Sequence, residues 1–227
     1  MDEAYQWIEF GYLISAALFI FGLKKLGHPK TAPLGNMYGM AGMAVAVVTT
    51  LLSIHFNNEH GIHWGIIVGG IAIGSIIGYI MAVKVEMTGM PEMVALFNGF
   101  GGAASALVAL SESWKYIYEG EKLPVGLDLG VIYTAAGLSA LVGWMTLSGS
   151  ILAMYKLKGG VEIFGKWYKT PTWGPSWLNP IKGFLFFAVI VLIGLQINNQ
   201  TSELYMWLII IISFILGITI VLPIGGA

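Results

Sequence analysis

A bundle of seven membrane-spanning helices is the fold class this sequence predicts, and three observations predict it. Hydrophobic residues make up 57% of the 227 and charged residues 10%, where an ordinary soluble domain carries about 25% charged residues. Mean hydropathy is +0.80, which is more apolar surface than a water-soluble fold of this length can hide or its polar residues can cover. Apolar runs long enough, or nearly so, to cross ~30 Å of hydrocarbon at ~1.5 Å per residue recur along the whole chain. Runs such as Ile209-Ile210-Ile211-Ile212 lack the alternating polarity of a closed barrel. Helices remain, because their backbone groups satisfy one another where lipid offers no partners.

The spans follow in order. The first is read at Trp7–Leu23; Met1-Asp2-Glu3 lacks the positive flank of a secretory signal peptide, so this span is expected to be retained. The second, Met37–Phe56, carries Gly39, Gly42, Ala46, Thr50 and Ser53 on one stripe. In the third, Trp64–Val83, Gly70, Gly74 and Gly78 repeat every fourth residue, the pattern that lets helix backbones approach, and are read as helix-packing positions. The fourth, Pro91–Leu110, opens with a proline suited to a first helical turn and with Glu92, an acid favoured there by the helix dipole. The fifth, Leu129–Tyr155, carries Ser139, Gly143, Thr146 and Ser150 on one face.

The loop Lys156–Lys182 holds Trp167, Tyr168, Trp173 and Trp177 among Pro171, Pro175 and Pro180. Those prolines forbid one continuous helix, and tryptophan favours the headgroup layer. An interfacial segment lying along the membrane is the reading, with a ligand pocket as the other. The opposite loop, Ser111–Asp128, is mixed in charge and reads as a solvated cap. The sixth and seventh spans are Ile181–Ile197 and Leu204–Ile224. Leu204–Ala227 carries no charge and closes on Leu222-Pro223-Ile224-Gly225-Gly226-Ala227. Pro223, Gly225 and Gly226 break a helix there and read as a hinge into a further part of a larger machine. Residues 1–227 are accordingly expected to be a single transmembrane helical domain.

Lysine placement predicts orientation. Lys24, Lys25, Lys30, Lys84, Lys156, Lys158, Lys166, Lys169 and Lys182 fall on one side if the spans alternate. The other side receives Lys115 and Lys122, diluted by Glu112, Glu119, Glu121 and Asp128. The positive-inside rule then puts the N-terminus out and Ala227 at the cytoplasmic face. Net charge is −1, and the eleven basic residues are all lysine. That argues against nucleic-acid binding, which uses positive patches and bidentate arginine. With no cysteine there is no disulfide framework, thiolate nucleophile or thiolate metal site. No catalytic group constellation and no His/Asp/Glu cluster with metal-ligand spacing is present in the sequence.

The polar residues inside the spans carry the functional question. Asn98 lies about 10 Å along its helix from Pro91, inside the apolar layer, where an unpaired amide costs several kcal/mol. It reads either as interhelical glue or as an orienter of water on a proton route; it cannot itself carry a proton at neutral pH. Ser105, Ser139, Thr146 and Ser150 offer weak donors that either pack helices or support a thin water path. No Asp, Glu, Lys or His lies mid-span, so a proton path here would borrow its titrating group from elsewhere. Gly99-Phe100-Gly101-Gly102-Ala103-Ala104 fits the dinucleotide fingerprint by spelling, yet lies within an apolar helical run and not at a strand-to-helix turn, so nucleotide binding there is rejected.

Several stretches together resemble the beta subunit of the proton-translocating NAD(P) transhydrogenase. They are Gly35-Asn36-Met37-Tyr38-Gly39-Met40-Ala41-Gly42-Met43-Ala44, Val85-Glu86-Met87-Thr88-Gly89-Met90-Pro91-Glu92-Met93-Val94-Ala95, Thr146-Leu147-Ser148-Gly149-Ser150 and Leu222–Ala227. The similarity runs from about Tyr12 to Ala227 and is weakest across the two long loops. It implies a chain stopping short of two further spans and a cytoplasmic NADP(H)-binding domain, with NAD(H) on a partner alpha subunit and no cofactor bound by these residues. It also implies inward proton movement coupled to hydride transfer from NADH to NADP+, in the cell (inner) membrane, by a homodimer of protomers in membrane lipid. Many members of that family place a histidine where this sequence has Asn98; a subset with Asn uses a histidine on a partner helix. Glu92 and Ser150 match family positions linked to the membrane path. A small-solute transporter or channel subunit, and a membrane scaffold of an enzyme complex, are the alternative functions.

Overall fold

The computed structural model describes residues 2–56, 63–114, 128–199 and 202–225. Seven helices long and apolar enough to cross a membrane lie among them. They are α1 (Asp2–Leu26), α2 (Ala32–Phe56), α3 (Trp64–Lys84), α4 (Met90–Trp114), α5 (Leu129–Leu157), α6 (Leu178–Asn198) and α7 (Glu203–Val221). A single 3-10 turn, Met87–Gly89, leads into α4, and strands β1 (Val161–Ile163) and β2 (Lys166–Tyr168) lie between α5 and α6. The described residues are therefore all-α apart from one short hairpin. Most helices run past the expected spans, because a helix goes on satisfying its backbone beyond the apolar layer until a cap or proline stops it. At α5 the stop is Asp128, whose carboxylate accepts the Gly130 backbone N–H at 2.9 Å. At the other extreme α7 ends at Val221, short of the expected Ile224. Pro223 has no N–H to give, and its ring collides with the carbonyl four residues back.

By contacts the chain forms two compact units, Met1–Gly78 and Tyr79–Ala227. In the first, α1 and α2 make an antiparallel hairpin. A Cβ placed on Gly35 would lie 2.8 Å from the Gly22 carbonyl oxygen, and one on Gly42 would lie 3.2 Å from the Ser15 carbonyl oxygen. The link between them is pinned by Thr31, whose hydroxyl donates to the Lys25 carbonyl at 2.6 Å. No residue of α3 is buried.

In the second unit α5 is the central helix. It packs antiparallel on α4, antiparallel on α6 (Gly137 against Ile193, Gly130 against Ile197) and parallel to α7 (Gly149 against Val221). This is the order expected of successive spans that alternate in direction. Ala140, Leu141, Val189, Ile193, Ile209 and Leu216 form the core where α5, α6 and α7 meet. Elsewhere large apolar residues stay exposed along the helices, as lipid-facing surfaces require.

The first part of the proline-rich loop forms the β1–β2 hairpin. Val161 pairs with Tyr168 and Ile163 with Lys166 in antiparallel register. Phe164 and Gly165 make the turn with φ of 51° and 74°, the double positive φ of a two-residue hairpin loop. Glycine accepts this freely, whereas phenylalanine is rarely found there.

Candidate functional site

The site is a seam between α4 and α5. Close approach comes first: a Cβ on Gly102 would lie 2.8 Å from both the Gly143 carbonyl oxygen and the Thr146 Cβ, and one on Gly99 would lie 3.0 Å from the Ser150 Cβ. Backbone contact of this kind is what small residues permit in membranes. The register is antiparallel, so each step of three or four residues along α4 is matched by a step back along α5. Asn98 meets Ser150, Gly102 meets Thr146 and Gly143, and Ser105 meets Ser139. The Gly99–Ala104 run that spells a dinucleotide motif is thus a helix-approach surface, inside α4.

Hydrogen bonds cross the seam at Asn98 and at Ser139. The Asn98 side-chain amide donates to the Ser150 hydroxyl oxygen at 2.9 Å, and Ser150 is buried. The Ser139 hydroxyl donates to the Ser105 backbone carbonyl at 3.2 Å, so Ser105 contributes main chain while its own side chain is exposed. Among the described residues Asn98 uses one amide hydrogen and leaves its side-chain carbonyl and second N–H open. Ser150, accepting from Asn98, keeps its own proton to give. The arrangement can order water molecules and pass hydrogen bonds along the seam. It contains no group that titrates at neutral pH, so it can orient a proton carrier without being one.

Glu92 stands six residues before Asn98 on α4, about 9 Å along the axis. It lines a cavity of about 270 Å³ together with Lys84, Gly89 and Met154. That space is open and large enough for several waters. Toward the other end of α4 and α5, Ser113 and Tyr133 together with Gln196 of α6 line a cavity of about 20 Å³, roughly the room of one water. Sequence reading singled out none of those three. Their signal was present, since each is a polar residue in the terminal turns of a span, but such residues usually serve the interface.

Five of the six residues expected on a path, Asn98, Ser105, Ser139, Thr146 and Ser150, lie along the seam, and Glu92 lines the cavity at its end. Gly70, Gly74 and Gly78 are different: a Cβ on any of them would meet nothing within 4 Å among the described residues. Pro223 lies in the turn that follows α7, where the Ile224 N–H donates to the Val221 carbonyl at 3.0 Å. Gly225 has open space around it, and Gly226 lies outside the described residues. Among the described residues no three His, Asp or Glu side chains gather as a metal site.

Comparison with known proteins supplies the family. The family described as NAD(P) transhydrogenase beta subunit matches residues 8–227. The NAD(P) transhydrogenase subunit beta of Rhodospirillum rubrum is 36% identical over 220 residues, covering 95% of this chain. The same figures hold for the protein of that description from a named strain of the species. The chain spans 44% of the length of these relatives. With seven apolar helices and a match over nearly its whole length, this multi-pass protein of the inner membrane belongs to the NAD(P) transhydrogenase beta-subunit family.

Proposed function

We propose that these residues are the proton-conducting membrane portion of an NAD(P) transhydrogenase, coupling inward proton translocation to hydride transfer from NADH to NADP+. The observation that carries this reading is the Asn98–Ser150 hydrogen bond, which leaves donor and acceptor capacity open on Asn98, an exposed residue on the surface of a membrane-spanning helix pair. Water held by Asn98, Ser150, Ser139 and Thr146 relays the proton. Glu92 and its cavity form the mouth of the path, and the titrating group comes from a helix of another subunit, because an amide does not ionise. Thr146 and the Ser105 backbone shape the seam.

Hydride passes directly between nicotinamides held outside these residues. NADP(H) binds a downstream domain within the extra length of the relatives, and NAD(H) binds the partner alpha subunit. The lysine distribution supports an outward N-terminus and a cytoplasmic Ala227. Pro223, Gly225 and Gly226 form the hinge into the further spans that lead to the nucleotide domain. Gly70, Gly74 and Gly78, open on α3, pack against a helix from another protomer or from the alpha subunit, in a homodimer of protomers set in lipid.

The test uses the full-length protein and its alpha partner in sealed vesicles, with NADH and an NADP analogue. Analogue reduction and lumenal pH are followed together. Reduction that moves protons, with a rate altered by an uncoupler, supports the reading. A well-folded preparation that gives neither signal rejects it, and solute flux through the same vesicles then becomes the property to measure.

A further inference from the structure

Five lysines lie at the end of α5 or between it and the first turns of α6: Lys156, Lys158, Lys166, Lys169 and Lys182. Such residues usually reach for water or headgroups on their long stems. Lys158, Lys166 and Lys169 are exposed, whereas Lys156 is only 3% exposed. Its ammonium donates to three backbone carbonyls, those of Val221 at 3.0 Å, Leu222 and Ile224. Three N–H groups meet three acceptors, so the donor capacity of the ammonium is filled. The acceptors belong to the last turn of α7 and the residues after it, where carbonyls have no partner inside the helix and the helix dipole is negative. Lys156 is therefore a C-terminal cap delivered from another helix.

A second contact closes on the same turn. Gly174, in the proline-rich stretch before α6, lies so near Pro223 that a Cβ there would come within 3.0 Å of the Pro223 Cα and Cγ. From α5, Gly149 lets the Val221 side chain approach, with 3.1 Å between an added Cβ and Cγ2. The turn Val221–Ile224 is thus held between α5, through Lys156 on its carbonyls and Gly149 on the Val221 side chain, and Gly174 on the Pro223 ring. Ser150, the partner of Asn98, lies on the same rigid α5, six residues or about 9 Å from Lys156.

We propose that Lys156 is a positioning residue: with Gly174 it forms a socket that fixes the path of the chain leaving α7, so that a shift of α5 at Ser150 reaches the Pro223–Gly225 hinge. The coupling role rests on the transhydrogenase reading above; the socket does not. Residues 1–227 contain no cysteine; with any cysteines in the rest of the full-length chain and in its partner first replaced by serine, Leu157→Cys and Ile224→Cys give two sites for spin labels.

The experiment compares parent, Lys156→Met, Lys156→Arg and Gly174→Leu in the full-length protein with its alpha partner in vesicles. Lys156→Met should lower proton-coupled analogue reduction at least about tenfold, and should turn a narrow label–label distance distribution into a broad one. Lys156→Arg, which keeps the donors and the charge, should restore at least about a third of the rate. Gly174→Leu should broaden the distances with Lys156 intact, and it tests the socket should Lys156→Met fail to accumulate. Parent-like coupled activity in Lys156→Met overturns the positioning role, and so does lost activity with unchanged distances. If the parent itself catalyses no hydride transfer, the transhydrogenase reading has failed, and the distance distributions alone decide the socket.

Discussion

The α1–α2 hairpin and the α4–α5 pair are built alike and differ in what their polar groups have left to offer. Both are antiparallel, and both bring backbones together at glycine, Gly22 and Gly35 in one and Gly102 and Gly143 in the other. In α1–α2 the buried Ser15 hydroxyl donates to the Gly42 carbonyl at 2.8 Å, and the Thr50 hydroxyl turns back to the Ala46 carbonyl of its own helix at 2.9 Å. Both hydroxyls donate to main chain, and the Thr50 oxygen also meets the Tyr12 hydroxyl across the pair at 3.0 Å. In α4–α5 an amide with four hydrogen-bonding positions meets a single hydroxyl at 2.9 Å. Glycine-mediated approach is thus the common architecture of both pairs, and spare hydrogen-bonding capacity is what sets one apart as a candidate path.

Overfilling the shared feature should give the largest effect and should not discriminate between the pairs. Gly143→Leu and Gly42→Leu each force a branched side chain against backbone, and overpacking costs about 1–3 kcal/mol or more. Both should sharply reduce the yield of folded, monodisperse protein in size-exclusion chromatography. A pair that tolerates the change would not be held by close approach. Ser150→Ala removes the acceptor of the Asn98 amide while leaving space, and a hydrogen bond of this kind contributes about 0.5–1.5 kcal/mol. Coupled hydride transfer should fall by roughly twofold to tenfold, with folded yield kept. Thr50→Val makes the matching change in the hairpin, where the hydroxyl meets the Ala46 carbonyl and the Tyr12 hydroxyl. Coupled activity should stay within about twofold of the parent; a loss equal to that of Ser150→Ala would erase the distinction between the pairs.

The seven helices were legible because a long uncharged run in lipid has few structural choices. The stripes of small and hydroxyl residues on α4 and α5 were legible too, since helical periodicity puts them on one face. Which stripe faces which was not, because the pairing of Asn98 with Ser150 is a property of two helices docked in one register. The Gly70, Gly74 and Gly78 stripe makes the same point in reverse, reading as an interface and finding no neighbour within the described residues. The β1–β2 hairpin was missed although Phe164-Gly165 marks its turn, because strands of three residues carry almost no periodicity. Lys156 was counted only as a flanking charge. Nothing in its neighbourhood separates it from Lys158; only the parallel docking of α7 on α5 brings three carbonyls to its ammonium.

Asn98→Leu, made in the full-length protein with its alpha partner in sealed vesicles, separates a proton path from packing. The variant is close in volume, cannot hydrogen-bond and lies in a seam whose glycine contacts remain intact. Analogue reduction and lumenal pH change are recorded together against the parent at equal amounts of assembled protein. The complex should assemble, with proton-coupled hydride transfer reduced at least about tenfold. An assembled complex with unchanged coupled activity would contradict the proton path and reduce Asn98 and Ser150 to packing.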